Sequence, residues 1–143
     1  MSAPRDAGVV EALTHVGLFH GLSRRDLTQV AEMAKGLDFA AGQAITEEGE
    51  RGGRFYVLLE GQADVLVGGE VVNTLKAGDS FGEISLIDRQ PRSATIVART
   101  LVRTLSLSSW NFRPLLKEYP PIAEAVLLEM CRRLRDTQAS HLH

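Results

Sequence analysis

The apolar positions of the first forty residues recur at helical spacing in two groups. The first group is Val9, Val10, Leu13, Val16 and Leu18, and the second is Leu27, Val30, Ala31 and Ala34. Such a stripe is typical of an amphipathic helix that buries one face. Gly21 interrupts the pattern, Ser23 can cap the N–H groups of Arg25 or Asp26, and Gly36 is a stop signal. The pattern predicts two N-terminal helices within residues 9–35.

From residue 37 to residue 107 the helical spacing gives way to short apolar runs separated by glycines. The clearest runs are residues 54–59, 63–67, 71–75, 94–98 and 101–107. The Gly68-Gly69 pair suits a tight hairpin, because both residues can take positive φ without a Cβ clash. Many short strands without long helices between them predict an antiparallel β-barrel or jelly roll.

After residue 107 the helical pattern returns in two segments. Ser108 or Ser109 can cap the first, and Pro114 should shorten or kink it. The last segment has a broad apolar face formed by Ile122, Ala123, Val126, Leu127, Met130, Cys131 and Leu134. The pattern thus predicts one mainly β domain over residues 1–143, with N-terminal helices and two C-terminal helices within residues 109–138.

Length and charge narrow the function classes. The 143 residues suffice for one domain with a core, and the net charge of −2 gives no basic excess to attract nucleic acid or an anionic membrane. No apolar stretch is long enough to span a bilayer, and the N-terminus lacks the apolar region of a signal peptide. The single cysteine, Cys131, excludes an intramolecular disulfide and is predicted to be partly buried and inert. We predict a cytoplasmic protein.

Catalytic and metal-binding patterns are missing from the sequence. The histidines are His15, His20, His141 and His143, and none falls in the predicted barrel, so a metal-dependent barrel enzyme of the cupin type lacks its ligands. No activated nucleophile is found, and the only acids in a plausible pocket are those of the segment described next. The sequence predicts no enzyme, no metal and no cofactor.

Residues 81–95 interrupt the alternation of short strands and turns, and they carry groups suited to binding a phosphorylated sugar. Gly82 permits close approach of the backbone to a ligand, and Glu83 offers a carboxylate to sugar hydroxyls. Ser85 is small enough to leave its own N–H exposed, and a turn of helix with free amides binds anions. Arg92, which follows Pro91, can donate two parallel hydrogen bonds to a phosphate. Taken alone, Glu83 and Arg92 would fit a surface ion pair, but the surrounding residues favour binding.

This segment resembles the phosphate-binding cassette of cyclic-nucleotide-binding domains. The pattern runs in order through Phe81-Gly82-Glu83, a small residue, two aliphatic residues, a turn, and Pro-Arg followed by a small residue, Ala and Thr, with Arg92 nine positions after Glu83. The flanking segments LFHGLS and AAGQAITEEGERGGRFYVLLEGQADV also resemble the family. Two departures are Asp88-Arg89, in a turn where many members have Gly, and Gly53-Arg54, where an acidic residue often precedes the aromatic strand.

The resemblance implies roles for individual residues. Glu83 and the Gly82 carbonyl would hold the ribose 2′-hydroxyl, Arg92 and the amides of Ser85 and Ser93 would hold the cyclic phosphate, and Ile84 would line the pocket. The implied ligand-binding set is Phe81, Gly82, Glu83, Ile84, Ser85, Arg92, Ser93 and Ala94. The last helix would close over the base as a lid, through Arg132, Leu134 or Arg135.

Three functions follow from these observations. The leading hypothesis is a sensor of cAMP, with cGMP as the alternative ligand, that acts through an unknown effector protein. The second is a structural or interaction domain of the same fold without a ligand, and its last helix would form a homodimer or partner interface. The third is a truncated cAMP-responsive transcription regulator. For the sensor, we expect Arg92 to wait in an open pocket with few native partners, so that its removal scarcely affects stability.

Overall fold

The computed structural model describes residues 7–82 and 89–141. Its helical elements are α1 (Ala7–Leu13), a 3-10 turn (Gly17–Phe19), α2 (Arg24–Met33), α3 (Ser109–Glu118) and α4 (Pro120–His141). Its strands are β1 (Lys35–Phe39), β2 (Ala44–Thr46), β3 (Arg54–Glu60), β4 (Ala63–Val67), β5 (Glu70–Leu75), β6 (Ser80–Phe81), β7 (Thr95–Ala98) and β8 (Val102–Ser108).

The strands form two four-stranded antiparallel sheets. The first sheet has the order β1-β8-β3-β6 and the second has the order β2-β7-β4-β5. The prediction of a mainly β fold with flanking helices is confirmed. Of its two forms, the jelly roll is the right one, because in the described part of the chain no strand ladder joins the two sheets into a closed barrel.

Strand β3 lies at the centre of the molecule because both of its faces are buried. Phe55 and Val57 face a cluster that contains the buried side chains of all the helices. Tyr56 and Leu58 face the opposite way, into the space between the two sheets. The run RFYVLL is therefore apolar at successive positions rather than at alternate ones, as expected for a strand covered on two sides. The first sheet thus separates a helical layer from the second sheet.

Local sequence signals set several boundaries. The Ser23 hydroxyl accepts a hydrogen bond from the Asp26 N–H at 3.1 Å, and the Ser108 hydroxyl accepts one from the Asn111 N–H at 3.4 Å. Gly68 and Gly69 both have positive φ, 60° and 84°, in the hairpin between β4 and β5. These caps and this hairpin confirm the predictions. Gly36, predicted to stop α2, lies instead inside β1, which begins directly after α2 at Lys35.

Helix α4 is buried along its first turns only. Ile122 and Val126 are buried in the helical cluster, whereas Leu127, Leu128 and Leu134 are each more than 59% exposed. Cys131 is also exposed, so the prediction of a partly buried thiol is wrong: the packed stripe turns away from the cysteine. In the described part of the chain, no helix has the length and apolar character needed to cross a membrane.

Candidate ligand-binding site

The predicted cassette, residues 81–95, leads from β6 to β7. The structure describes Phe81 and Gly82 at its start and residues 89–95 at its end. Glu83, Ile84 and Ser85 lie outside the described residues, and the sugar-binding and amide roles assigned to them stay predictions. The geometry of the site therefore rests on Arg92 and the residues around it.

The Arg92 side chain is buried, with 7% of its surface exposed. Its Nη2 donates to the Arg54 carbonyl at 2.6 Å, and its Nη1 donates to the Gly82 carbonyl at 3.2 Å. The expectation of an open pocket with few native partners is wrong, because the strand that opens at Arg54 and the start of the cassette close around the guanidinium. Burial of a charge is costly unless hydrogen bonds replace its lost hydration, and Arg92 has such hydrogen bonds.

The loop before β3 holds the backbone of Arg92. The Arg92 N–H donates to the Glu50 carbonyl at 2.6 Å, and its own carbonyl accepts from the Gly49 N–H at 2.9 Å. One position earlier, Pro91 forms an antiparallel bridge with Arg51. The loop and the cassette are thus joined as a short pair of extended segments, so Arg92 has a fixed backbone.

Two glycines make room for the guanidinium. A Cβ added to Gly52 would overlap the Nε and Cζ atoms of Arg92. A Cβ added to Gly82 would lie 2.6 Å from Arg92 Nη1 and 2.8 Å from the Arg54 carbonyl oxygen, and Gly82 also has a φ of +95°, which side chains rarely adopt. Only glycine at these positions lets the backbone approach Arg92 this closely.

An aromatic stack fixes the start of the cassette. The rings of Tyr56 and Phe81 are stacked with their centroids 5.0 Å apart, and Phe39 meets Tyr56 edge-on at 6.3 Å. Burial raises the pKa of Tyr56, while the charges of Arg92 and Arg54 act in the opposite direction. The Tyr56 hydroxyl therefore stays neutral at physiological pH, and it lies within electrostatic range of both arginines.

Arg54, Gly52 and Tyr56 were not predicted as site residues. The Arg54 side chain is held against β8, since its Nη1 donates to the Ser106 hydroxyl at 2.9 Å. The backbone carbonyl of Arg54 is the acceptor for Arg92 Nη2. The sequence signal in this region was Gly53-Arg54, a departure from the family pattern.

The remaining predicted residues have varied surroundings. Ser93 is exposed and Ala94 is half-buried. On α4, Arg132 pairs with Glu129, with its Nη2 2.7 Å from Glu129 Oε2, and Leu134 and Arg135 are exposed. The role of Arg132, Leu134 and Arg135 as a lid stays a prediction.

Two groups of known proteins are similar to this sequence. The family model described as the cyclic nucleotide-binding domain matches residues 37–119. A cAMP-dependent protein kinase regulatory subunit from Aspergillus niger is 37% identical over 106 residues, which make up 73% of this chain and 26% of that protein. A CRP-like cAMP-activated global transcriptional regulator from Mycobacterium tuberculosis is 30% identical over 132 residues, which make up 89% of this chain and 59% of that protein.

A solved structure extends the similarity to nearly the whole chain. It is the regulatory subunit of a cAMP-independent protein kinase A from Trypanosoma brucei, in a triply substituted form bound to cAMP, with a TM-score of 0.83 and 25% identity. The match covers 98% of this chain and 52% of that one. The matched part of this chain thus spans between about a quarter and about three-fifths of the length of each of these three proteins. With its two-sheet fold, its glycine-lined arginine and a family model matched over residues 37–119, this chain belongs to the cyclic nucleotide-binding domain family.

Proposed function

We propose that this chain is a regulatory module that binds cAMP at Arg92 and acts through a partner protein, without catalysis of its own. The observation that carries the proposal is the fixed position of the Arg92 guanidinium, which lies between the Arg54 and Gly82 carbonyls and against Gly52. Glycines at two of these positions let the backbone approach the guanidinium closely, and a planar guanidinium suits recognition of a phosphate.

A phosphate is a better acceptor for Arg92 than the two carbonyls that hold it. The Arg54 and Gly82 carbonyls are neutral acceptors, whereas the oxygens of a cyclic phosphate share one negative charge. The guanidinium is charged in both arrangements, but only the phosphate adds the attraction between opposite charges. A cyclic nucleotide can therefore compete for Arg92, and the carbonyls keep the guanidinium oriented until it does.

The similar proteins support cAMP as the ligand. Both curated relatives are named for their dependence on cAMP or activation by it, and the T. brucei structure contains cAMP. Ser93 is the exposed position beside Arg92 that could distinguish cGMP, through a hydrogen bond from its hydroxyl to the guanine amino group. One neutral hydrogen bond contributes about 1 kcal/mol, so selectivity through Ser93 should stay within roughly tenfold.

A ligand-free scaffold is the second candidate, and one observation favours it. Arg92 donates to two carbonyls of its own chain, as expected of a purely structural arginine. The T. brucei relative is itself described as part of a cAMP-independent kinase, so the fold does not guarantee regulation by cAMP. Ligand binding must therefore be measured directly.

The experiment is a thermal denaturation series with cAMP, cGMP and linear 5′-AMP. At about a hundred times its dissociation constant, a ligand that binds only the folded state adds roughly 2.7 kcal/mol, which should raise the melting temperature by several degrees. We expect this shift with cAMP and a much smaller one with 5′-AMP. The absence of a shift with any cyclic nucleotide would favour the scaffold.

We also propose that a second copy of this chain is a partner of the module. Leu127, Cys131 and Leu134 are exposed at spacings of four and three residues, the repeat of a coiled-coil seam. We infer a homodimer through α4, in addition to an effector protein. A cytoplasmic location, which the sequence predicts, stays a prediction.

A further inference from the structure

A surface pocket of about 490 Å³ lies on the outer side of the loop that holds Arg92. Its walls come from the loop before β3, from the end of the cassette and from the first turns of α3, and its lining residues are Arg51, Gly52, Arg89, Gln90, Ser109, Trp110, Arg113 and Pro114. Arg92, Gly82 and Ser93 do not line it. The pocket is therefore separate from the proposed cyclic-nucleotide site, although the two share Gly52.

The pocket is strongly basic within a protein that is acidic overall. Three arginines line it and no acidic residue does, as far as the described residues go, while the whole chain carries a net charge of −2. Within that same part of the chain, no carboxylate lies within 4 Å of Arg51 or Arg89. Glu50, the acid next to Arg51 in sequence, is turned toward its own loop, where its Oε1 accepts from the Glu47 N–H. Asp88, the acid next to Arg89, lies outside the described residues. This local positive charge would attract an acidic group.

Trp110 gives the same pocket a large apolar surface. It is the only tryptophan of the chain, and 87% of its surface is exposed. The fold does not need it, because Phe112 and Leu115 anchor α3 in the core. Tryptophan and arginine are the residues most enriched where protein interfaces gain their affinity. An exposed tryptophan among three arginines thus indicates a protein interface.

We propose that this Arg/Trp pocket docks an acidic segment of a partner protein. Carboxylates of the segment pair with Arg51 and Arg89, and one apolar side chain covers Trp110. A nucleic acid fits less well, because its phosphates would extend from three arginines onto a surface of net negative charge. A bilayer would need a broad apolar face, whereas here a single ring stands among charged groups.

The position of the pocket links docking to the ligand site. Arg51 Nη1 donates to the Arg89 carbonyl at 3.3 Å, and the adjacent Glu50 carbonyl accepts from the Arg92 N–H at 2.6 Å. Gly52 contacts the Arg92 guanidinium on one side and lines the pocket on the other. A movement of Arg92 toward a ligand would therefore displace the pocket wall. This link rests on the proposed function, whereas docking itself does not.

The test uses the fluorescence of Trp110 in the full chain without nucleotide. The titrant is an eight-residue peptide of Glu and Asp with one central Leu, and the matched control peptide has Gln and Asn in place of the acids. We expect a saturable blue shift with the acidic peptide and at least tenfold weaker binding of the neutral one. The double variant Arg51→Ala, Arg89→Ala should also bind the acidic peptide at least tenfold more weakly. The variant Arg99→Ala, at an exposed arginine directly after β7, should bind normally.

Three results would overturn the proposal. They are the absence of a saturable change at millimolar acidic peptide, equal affinity for the neutral peptide, and a response only to anionic vesicles or to an oligonucleotide. Since no nucleotide is present, failure of this titration leaves the proposed cAMP site untouched, and failure of cAMP binding by calorimetry leaves the docking result untouched.

Discussion

At the scale of single residues, Arg92 has two tasks that place opposite demands on it. Within the chain, it donates to the carbonyls of Arg54 and Gly82 from a buried position. With ligand, its charge must neutralise a phosphate. A residue used in both states should affect both stability and binding when it is removed, and the two effects can be measured separately.

We predict that Arg92→Ala lowers the free energy of unfolding by about 1–3 kcal/mol, because buried carbonyls lose their donors. Affinity for cAMP should fall by roughly 2–5 kcal/mol, or about thirty- to several-thousand-fold, because the ligand charge is left unpaired. Urea denaturation measures the first effect and calorimetry of the folded variant measures the second.

Two further variants control this prediction. Arg92→Lys should restore binding only in part, because an ammonium keeps the charge but loses the planar fork. Arg89→Ala should leave cAMP affinity nearly unchanged, since Arg89 is exposed and lines the other pocket. If Arg89→Ala abolished binding while Arg92→Ala bound normally, the assignment of the phosphate site would be wrong.

Gly52 offers a way to move the Arg92 guanidinium without removing it. A methyl group at Gly52 would overlap the tip of the arginine, so the guanidinium must shift while its charge stays at the site. Gly52→Ala should therefore weaken cAMP binding about tenfold or more, the value of one charge-assisted hydrogen bond, and destabilise the chain less than Arg92→Ala.

The next residue provides the matched control for Gly52→Ala. A Cβ on Gly53 would meet no atom within 4 Å, and neither glycine has a positive φ. Gly53→Ala should bind cAMP as the wild type does in the same calorimetric titration. Equal losses in the two variants would show that the loop, rather than the position of Arg92, limits binding.

At the scale of elements, local signals predicted local structure well. Ser23 and Ser108 act as helix caps because their hydroxyls reach N–H groups only three residues away, and Gly68-Gly69 forms its hairpin because both residues are adjacent in sequence. Gly36 shows where such signals fail. Its pairing with Leu105 across β1 and β8 places it in a strand, and a contact 69 positions away has no trace in the local pattern.

In helix α4, the proposed lid residues are different from the residues that pack in the core, so the two can be tested separately. Ile122 and Val126 are buried, whereas Arg132, Leu134 and Arg135 lie beyond them on exposed turns. We predict that a chain ending at Cys131 stays folded, because the core contacts remain, and binds cAMP more weakly in a calorimetric titration. Unchanged affinity in this well-folded truncation would reject the lid role.

The exposed seam of α4 predicts association of two copies. We expect wild-type chain to sediment as a dimer and Leu127→Glu to sediment as a monomer, because a charge at a seam position opposes burial. Val72→Glu, at an equally exposed valine of β5, is the control and should remain dimeric. Sedimentation velocity distinguishes the species, and a monomeric wild type at high concentration would contradict the prediction.

At the scale of the whole molecule, the site depends on contacts that are distant in sequence. The Phe-Gly-Glu and Pro-Arg motifs pointed to the cassette, but Arg54 and Gly52 lie 38 and 40 positions before Arg92. No periodicity predicts that a carbonyl of β3 will hold the cassette arginine. The sequence therefore predicted Arg92 as the charged residue of the site. Its burial and its hydrogen-bond partners could be known only from the folded structure.

Calorimetric titration of the full chain with cAMP, with linear 5′-AMP as the reference, tests the proposed site most directly. We predict one saturable cAMP site per chain, unchanged in Gly53→Ala, at least tenfold weaker in Gly52→Ala and at least thirtyfold weaker in Arg92→Ala. Absence of saturable cAMP binding to the wild type, or equal affinity in wild type and folded Arg92→Ala, would contradict a cyclic-nucleotide site at Arg92.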